Sequence, residues 1–551
     1  MTRYPLLALL TLAAPMLLIG LGWAPLLDWD ENIYGETARQ IVERGSVIVL
    51  YLNGHIFWEK PPLFLWEMAG LFHLFGVGPG VARLTSGLNA LLILAGMYLV
   101  GRRLGGALFG WLWALLYLSS LLPLVLSRSA VIDHTFNGLI AASLALLIFY
   151  DRAHAAFRVG QARRGRHWAW LLGAAVAMGA GVLTKGPLGG AVPLVAFAAY
   201  KLERPRPWPH PMHVLACGVV SLSIALSWYA ANYVLAGPEF IAGFTRFQGL
   251  LFSKPLEGHG GPWFYHFGIA VLGLFPWTPL LLLWARRAPR RRLWADAAWR
   301  PLIAGCLGWA GFVLAVFSLV QTKLPHYSSV IYIPLTFLTA LILTDLLREG
   351  GRVPRWLGVL FAAYAVVLGA LLAGLPYAMN RVAEANGVLL HDPPAPAALA
   401  WLPGALLVLG VCWAAWHLVC GRIQRGVLIG TLAMGLCMLG LWRMPLPQFA
   451  AYNQGALIDM MDEAYGEGGE LLLYRMVSFA VLFRGQRDVE MLHTYKFPGD
   501  PTRLDRPADH PLYVVSAQSQ AARLLHEHPL LQPVRRNGDL SLFRLPPRAA
   551  Q

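Results

Sequence analysis

Charge is what this chain of 551 residues has least of: 13% of it is Asp, Glu, Lys or Arg, against 57% hydrophobic residues. A soluble globular chain carries nearer a quarter charged residues, so this one lacks the polar surface that a water-facing fold requires. It reads as a polytopic membrane protein. Cysteine is scarce as well. The five present (Cys217, Cys306, Cys412, Cys420 and Cys437) lie in or beside apolar stretches with no CxxC pair, which excludes a disulfide framework and leaves them as small hydrophobic residues. No A-x-A-like cleavage site follows the apolar run after Arg3, so that run is expected to stay as a first helix. Nor is there an obvious internal repeat, whereas many transporters are built from duplicated halves. The net charge of +15 does not point to nucleic acid, because the basic residues fall in short loops between apolar runs and not along one face.

What is present is a succession of apolar runs. About 20 residues at ~1.5 Å rise cross the hydrocarbon, and on that measure about thirteen spans are expected, at roughly 5–23, 81–101, 107–126, 132–150, 168–184, 186–201, 212–234, 266–284, 301–320, 328–345, 356–376, 397–417 and 427–443. One alternate set of loops holds Arg102 and Arg103, then "DRAHAAFRVGQARRGRH", "KLERPRPWPH", "ARRAPRRRLWADAAWR", "REGGRVPR" and "GRIQRG", and this basic set is expected to be cytoplasmic. The first loop (24–62), the loop 235–265, "QTKLPHY" and the stretch 444–551 then face the other side. Within 444–551, "GALIDMMDEAYG" and "SQAARLLHEH" read as helices and "ELLLY", "LYVVSA" and "LSLFRL" as strands. The expected organisation is a mainly α membrane domain, 1–443, followed by a small α/β domain outside the membrane, 444–551. No ATP is available there, so a transferase acting on that side needs a pre-activated donor carried by the membrane.

The polar residues expected on that side are few and distinctive. "LLDWDENIYGETARQ" sets Asp28, Asp30, Glu31 and Glu36 directly after the first span, and Ile33, Thr37 and Ile41 recur at helical spacing, so about four turns are expected along the interface. Asp28 and Glu31 fit a capping-box-like helix start, which leaves Asp30 and Tyr34 unexplained. "FWEKPPL" places Glu59 and Lys60 before a double-proline break; a snorkelling Lys beside an interfacial Trp is the plain alternative. "SRSAVIDHTFN" brings Asp133 and His134 to the end of one span, "LTKGPLGG" puts Lys185 between two apolar runs, and "QTKLPHY" puts Lys323 and Tyr327 at another end. An ionisable residue near membrane depth costs at least ~2.5 kcal/mol at a helix centre, so such residues usually line a cavity or substrate path. Lys60, Lys185, Arg246 and Lys323 would supply positive charge for a phosphate oxyanion, and Asp30 and Asp133 carboxylates to orient or deprotonate an acceptor. Cations, carboxylates and an apolar groove together describe transfer of a group from a lipid phosphate.

The motifs at 28–40 and 57–63, the Asp in "SRSAVIDHTFN", "LTKGPL", "TKLPHY", "FPWTP" (275–279) and the "RF…GPWFYH" run resemble, in order, those of the bacterial ArnT group. This group belongs to the protein-O-mannosyltransferase-like GT-C superfamily. The resemblance implies a GT-C fold with about thirteen transmembrane helices and a small C-terminal periplasmic α/β domain, in the bacterial inner membrane. It also implies an inverting glycosyltransferase that takes a sugar, 4-amino-4-deoxy-L-arabinose in that group, from undecaprenyl phosphate to lipid A on the periplasmic side. Asp30 and Asp133 would then be the catalytic or acceptor-site carboxylates. Lys60 and Arg246 would hold the donor phosphate, with Glu59 beside it, and Glu31, Tyr34, Lys185, Lys323 and Tyr327 would complete the substrate site. One departure stands out: where that group commonly reads Asp-Glu-Pro-Arg-Tyr, this chain reads "DENIY", so the sugar and acceptor stay open.

The implied partners are the lipid-linked sugar, a lipid acceptor such as lipid A and membrane lipids, with no nucleic acid; a monomer is expected. No cofactor is required, and Glu59 and His259 are the two candidate ligands should a divalent metal take part. Two other classes fit the same residues less fully. A lipid-linked-sugar flippase would explain a charged cavity but not the appended outer domain, and an assembly subunit would tolerate loss of Asp30 and Lys60. A GT-C transferase with a different sugar or a hydroxyl acceptor is the nearer alternative.

Overall fold

The computed structural model describes residues 4–161, 165–204, 206–255, 258–388, 399–494, 496, 497, 499–505 and 510–547. Nine of its helices are long and apolar enough to cross a membrane, a bent pair of shorter ones makes a tenth, and Pro5–Leu18, Ala107–Leu118 and Leu188–Leu202 are shorter apolar helices. Together these occupy all the segments expected from hydropathy. The architecture is mainly α, with a small sheet unit at the C-terminal end.

Two expected continuous spans are broken. Residues 107–126 form Ala107–Leu118 and Leu121–Leu126, parted at Ser119 and Ser120, whose hydroxyls donate to the Leu115 and Leu116 carbonyls, 2.6 Å each. Residues 266–284 form Tyr265–Gly273 and a 3-10 turn, Thr278–Ala285, that meet at 105°. The corner is "FPWTP": Pro276 and Pro279 cannot continue an α-helical ladder, and Trp277, fully buried, fixes the bend by donating Nε1–H to Ser119 Oγ at 3.0 Å. The loop expected over 235–265 contains a helix, Pro238–Ser253.

The short glycine-rich pair around Lys185 is a tight reversal. Arg166–Lys185 ends at Gly186, whose φ of 91° suits glycine, and Leu188–Leu202 starts two residues on. A Cβ on Gly189 would lie 2.2 Å from the Gly181 carbonyl carbon, so the two helices touch backbone to backbone. The reversal leaves Lys185 at the tip.

The helix Asp30–Arg44 departs most from expectation. It has the expected length, 15 residues, but protein covers its polar face as well as its apolar stripe: every residue from Glu31 to Ile41 is buried. It is clasped between the helix Leu63–Phe75 and the C-terminal unit, and a Cβ on Gly35 would meet the Phe483 ring at 3.0 Å and Leu26 at 2.8 Å. Its polar face is buried at tolerable cost because each charged group there is paired, as buried charges must be. Glu36 accepts from Arg39 Nε at 2.8 Å and from Gln40 at 2.8 Å, and Gln40 also donates to Asp488 at 2.9 Å. The chain then makes a small hairpin, β1 (Tyr51–Leu52) and β2 (His55–Ile56), turning at Asn53-Gly54 with both φ values positive.

After the helix Ile423–Arg443 the chain continues through Pro445–Ala450 and a π-helical turn into Ala456–Gly466. The strands that follow are β3 (Glu470–Tyr474), β4 (Glu490–Leu492), β5 (Leu512–Ala517), β6 (Gln532–Asn537) and β7 (Leu540–Leu545). They form one sheet of order β4-β3-β5-β7-β6, with β3 parallel to β4 and β5 and the remaining pairs antiparallel. All five elements expected in this region are present; β4, β6 and the short helix Ala480–Gly485 are additional. The sheet's inner face joins the first-loop helix in one apolar cluster that includes Ile33, Tyr34, Leu457, Leu471, Phe479 and Val515.

Candidate active site

The site is assembled on the buried start of the Asp30–Arg44 helix. The expected capping box is absent, and no side chain caps this helix. Asp28 instead reaches the C-terminal unit, accepting from Ser478 Oγ at 2.5 Å and from Phe479 N–H at 3.0 Å. Gln454 braces the same turn, accepting from Asp28 N–H at 3.1 Å and donating to the Leu26 carbonyl at 2.9 Å. Burial pushes the Asp28 carboxyl up to about 6, against the hydrogen bonds that favour its charged form.

Glu31 is scaffold and does not line the site as expected. Both its oxygens are saturated, by Arg83 Nε at 2.9 Å and Nη2 at 2.7 Å, by Ala130 N–H at 2.7 Å and by Leu27 N–H at 2.9 Å. Arg83 also donates to the carbonyls of Leu21, Ala24 and Pro25. Burial alone would raise the Glu31 carboxyl, but the Arg83 charge and these hydrogen bonds outweigh it and hold it low. This knot ties the end of the first span, the first loop, the helix Pro79–Gly105 and the turn before Asp133 together, and its arginine, Arg83, is not among the residues expected from sequence. The signal was available: an arginine inside an apolar run needs a partner.

With Asp28 and Glu31 turned to structural partners, Asp30 is the carboxylate at this helix start left to face the cluster. Its Oδ2 lies 3.5 Å from His326 Nε2, and its side chain keeps 35% of its exposure. Lys185, at the tip of its helical reversal, places Nζ 2.5 Å from Asp133 Oδ1 and 5.0 Å from the centre of the Tyr327 ring. Ser329 Oγ approaches the same Asp133 oxygen at 3.5 Å and accepts from Asn137 at 3.0 Å. Lys60 lies within electrostatic reach of Glu59, Lys185, Asp30 and Asp133, and Tyr34 of Asp30, Asp133, Tyr327 and Glu59. Asp30, Tyr34, Glu59, Lys60, Asp133, Lys185 and Tyr327 therefore come together as the sequence suggested, joined by His326, which the sequence reading passed over in favour of its neighbours.

Lys60 differs from the other cations here. Among the described residues it has no carboxylate within ion-pair distance; its ammonium sits over the Phe247 ring at 5.3 Å. Burial pushes it below the ordinary lysine range, and an added anion would favour its charged form. Burial likewise drives the Tyr34 hydroxyl up, reinforced by the carboxylates around it, so Tyr34 is a neutral hydrogen-bonding group.

Two further expected site residues are placed otherwise. Lys323 folds back onto the end of the helix Arg300–Leu319, donating to the Phe317 and Ser318 carbonyls at 2.8 Å each; a cation satisfies the unpaired carbonyls of a helix C-terminus. Arg246 is exposed on Pro238–Ser253, although its neighbours Phe247 and Gln248 reach Lys60 and the Glu59 carbonyl. The two candidate metal ligands, Glu59 and His259, each have other contacts. The Glu59 carboxylate is held by Lys496 Nζ at 2.5 Å, while His259 offers its carbonyl to Lys323 N–H at 2.7 Å. Among the described residues no group of three His, Cys, Asp or Glu side chains is arranged to hold a metal.

Behind Asp133 a mostly apolar groove of about 370 Å³ runs between Pro79–Gly105 and Asp133–Arg158. Its polar end is formed by His134, Thr135, Glu67 and Asn89, with Asn89 donating to Glu67 at 2.8 Å and to Thr135 at 2.7 Å.

Residues 6–236 match the family model for dolichyl-phosphate-mannose-protein mannosyltransferase. An undecaprenyl phosphate-alpha-4-amino-4-deoxy-L-arabinose arabinosyl transferase of Aeromonas salmonicida is 28% identical over 537 residues, covering 92% of this chain and 91% of that protein. The enzyme of the same name from Aeromonas hydrophila is 28% identical over 80% of this chain and 78% of its own. The crystal structure of ArnT from Cupriavidus metallidurans bound to undecaprenyl phosphate superimposes with a TM-score of 0.77 at 20% identity, covering 98% of both chains, and so shares the fold. By sequence the chain is thus similar to the aminoarabinose transferases over most of its length and to the protein mannosyltransferase family over residues 6–236, and it shares its fold with ArnT.

Proposed function

We propose that the chain is an inverting glycosyltransferase that takes 4-amino-4-deoxy-L-arabinose from undecaprenyl phosphate and transfers it to lipid A at the periplasmic face of the bacterial inner membrane, acting as a monomer. The observation that carries this reading is Lys60: a half-buried ammonium with no carboxylate within ion-pair distance among the described residues, set among Asp30, Asp133 and Lys185. Such a cation binds an oxyanion best where water is excluded, and a polyprenyl phosphate is both the leaving group and the anchor of the donor. The relatives' names specify this donor and sugar, and the similar fold of known structure holds undecaprenyl phosphate.

Lys60 balances charge as it builds on the departing phosphate while the acceptor attacks the sugar's anomeric carbon from the opposite face. The Lys185–Asp133 pair and Tyr34 shape the wall beside it. A lipid A phosphate is already ionised and needs no general base, so Asp30 acts by positioning the acceptor or the sugar. The second reading, a hydroxyl acceptor, is favoured by one contact. Asp30 and His326 lie 3.5 Å apart, a carboxylate–imidazole arrangement suited to accepting a proton, worth about 10²–10⁴-fold in rate.

Purified protein incubated with the lipid-linked sugar and lipid A is expected to release undecaprenyl phosphate as lipid A gains one aminopentose on a phosphate, read by mass spectrometry. Donor left intact would defeat the transferase reading and return the flippase; sugar found on another envelope glycan would move the acceptor assignment alone.

A further inference from the structure

Glu59 precedes the unpaired Lys60, and its carboxylate faces the C-terminal unit. Lys496, just beyond β4, brings Nζ to within 2.5 Å of Glu59 Oε1; the two side chains are 16% and 11% exposed. The lysine is seated on aromatic rings from both halves of the molecule. Its ammonium lies 4.7 Å from the centre of Phe479, in the C-terminal unit, and 5.8 Å from that of Trp29, the residue before Asp30. Trp29 and Phe479 pack edge to face at 5.1 Å. Asp28 on the same turn holds Ser478 and Phe479, so this corner is anchored by several independent contacts.

The pairing pattern of the cluster gives Lys496 a particular consequence. Lys185 is committed to Asp133 and Lys496 to Glu59. Were Lys496 missing, Glu59 would be a buried carboxylate without a partner, and the nearest cation to recruit is Lys60. An internal Glu59–Lys60 pair would compete directly with a bound phosphate, and the bare carboxylate would repel it as well.

We infer that Lys496 is a positioning residue of the transfer site: by holding Glu59 it keeps Lys60 available to the donor phosphate, so the C-terminal unit completes a site otherwise built by the membrane domain and first loop. This rests on the reading of Lys60 as the phosphate ligand. It assigns Lys496 no contact with substrate; its action passes through Glu59.

The test is binding of undecaprenyl phosphate alone to the full-length protein in detergent, followed by native mass spectrometry, for wild type and four variants. Lys496→Met is expected to weaken binding about tenfold or more. Lys496→Arg, which can still pair with Glu59, keeps it. Glu59→Gln combined with Lys496→Met is expected to return to within about threefold of wild type, because neither charge then needs the other. Asn53→Ala removes two hydrogen bonds to Val489 at the same junction without touching the charges and is expected to bind normally. Unchanged binding by Lys496→Met, or a double variant as weak as the single, overturns the inference. Weakening by Asn53→Ala equal to that of Lys496→Met also overturns it, since docking of the unit would then be the whole effect. A wild type that binds no undecaprenyl phosphate removes the donor reading itself, and this inference falls with it.

Discussion

Lys185 and Asp133 meet at 2.5 Å although they come from different helices, and both side chains are largely buried, at 12% and 3% exposure. A buried ion pair is costly to break by removing one partner, by about 3–5 kcal/mol, because the survivor is left charged and desolvated. Lys185→Met is therefore expected to lower thermal stability clearly, and Lys185→Met with Asp133→Asn to recover most of the loss while both remain inactive. Scanning fluorimetry beside a donor-release assay separates the two effects. Equal melting temperatures for the single and double variants would mean the pair carries no mutual stabilisation.

Asp30 and Lys60 predict the opposite balance. Asp30 keeps a third of its exposure, and Lys60 is already destabilised in its charged form by burial. Neither Asp30→Asn nor Lys60→Ala removes a buried ion-pair partner, so both are expected to fold and melt near wild type. Transfer should fall by about 10²-fold or more, the scale on which a donor aimed at developing negative charge acts. Active variants of both would support the assembly-subunit reading.

Legibility from sequence divides along physical lines. The spans were readable because a stretch long enough to cross hydrocarbon must be apolar throughout. Their breaks at Ser119–Ser120 and at "FPWTP" were not, since one or two residues within an apolar run barely change its mean hydropathy. Ionisable residues at or near span ends flagged Asp133, Lys185 and Lys60, which the fold brings together. The same signal could not tell Lys323, which turns back to cap its own helix, from His326, which faces Asp30, because that choice is made by the 3-10 turn at Pro325–Ile331. The burial of the first-loop helix by protein was not legible for a related reason. Its apolar stripe was real, but the partners that bury its polar face, Arg83 and Asp488, lie far away in the chain. Position 33, where the ArnT group commonly carries Arg, is here an Ile packed into that apolar cluster.

Glu31 and Arg83 test whether the first loop's acidic residues divide into scaffold and chemistry. Both side chains are nearly fully buried, at 7% and 1% exposure. Glu31→Gln leaves Arg83 with an unmatched charge among backbone carbonyls, and Arg83→Met leaves Glu31 charged and buried. Each is expected to cost about 3–5 kcal/mol and to reduce the yield of folded protein, in contrast to Asp30→Asn one position away. Size-exclusion profiles and melting temperatures of the three variants side by side decide it; a Glu31→Gln protein as stable as wild type would refute the scaffold assignment.

Asp28 supplies the pH dependence of the junction between the first loop and the C-terminal unit. Its carboxyl titrates at about 6 when folded, against an ordinary value of 3.8, because burial disfavours the charged form. Between those two pH values the folded state holds more of this proton than the unfolded state does. Stability contributed by this group therefore falls as pH rises from about 4 to 6, and the full cost of the buried charge is present above that window. Asp28→Asn keeps an acceptor for Ser478 and Phe479 without the charge. It is expected to remove that slope, leaving other groups' titrations unchanged, so the difference in melting temperature between variant and wild type should shift in the variant's favour from pH 4 to pH 7. Protease sensitivity near Ser478, followed over the same range, reports the junction locally. A difference that stays flat with pH would mean Asp28 titrates as an ordinary surface carboxylate and does not hold the two parts together through a buried charge.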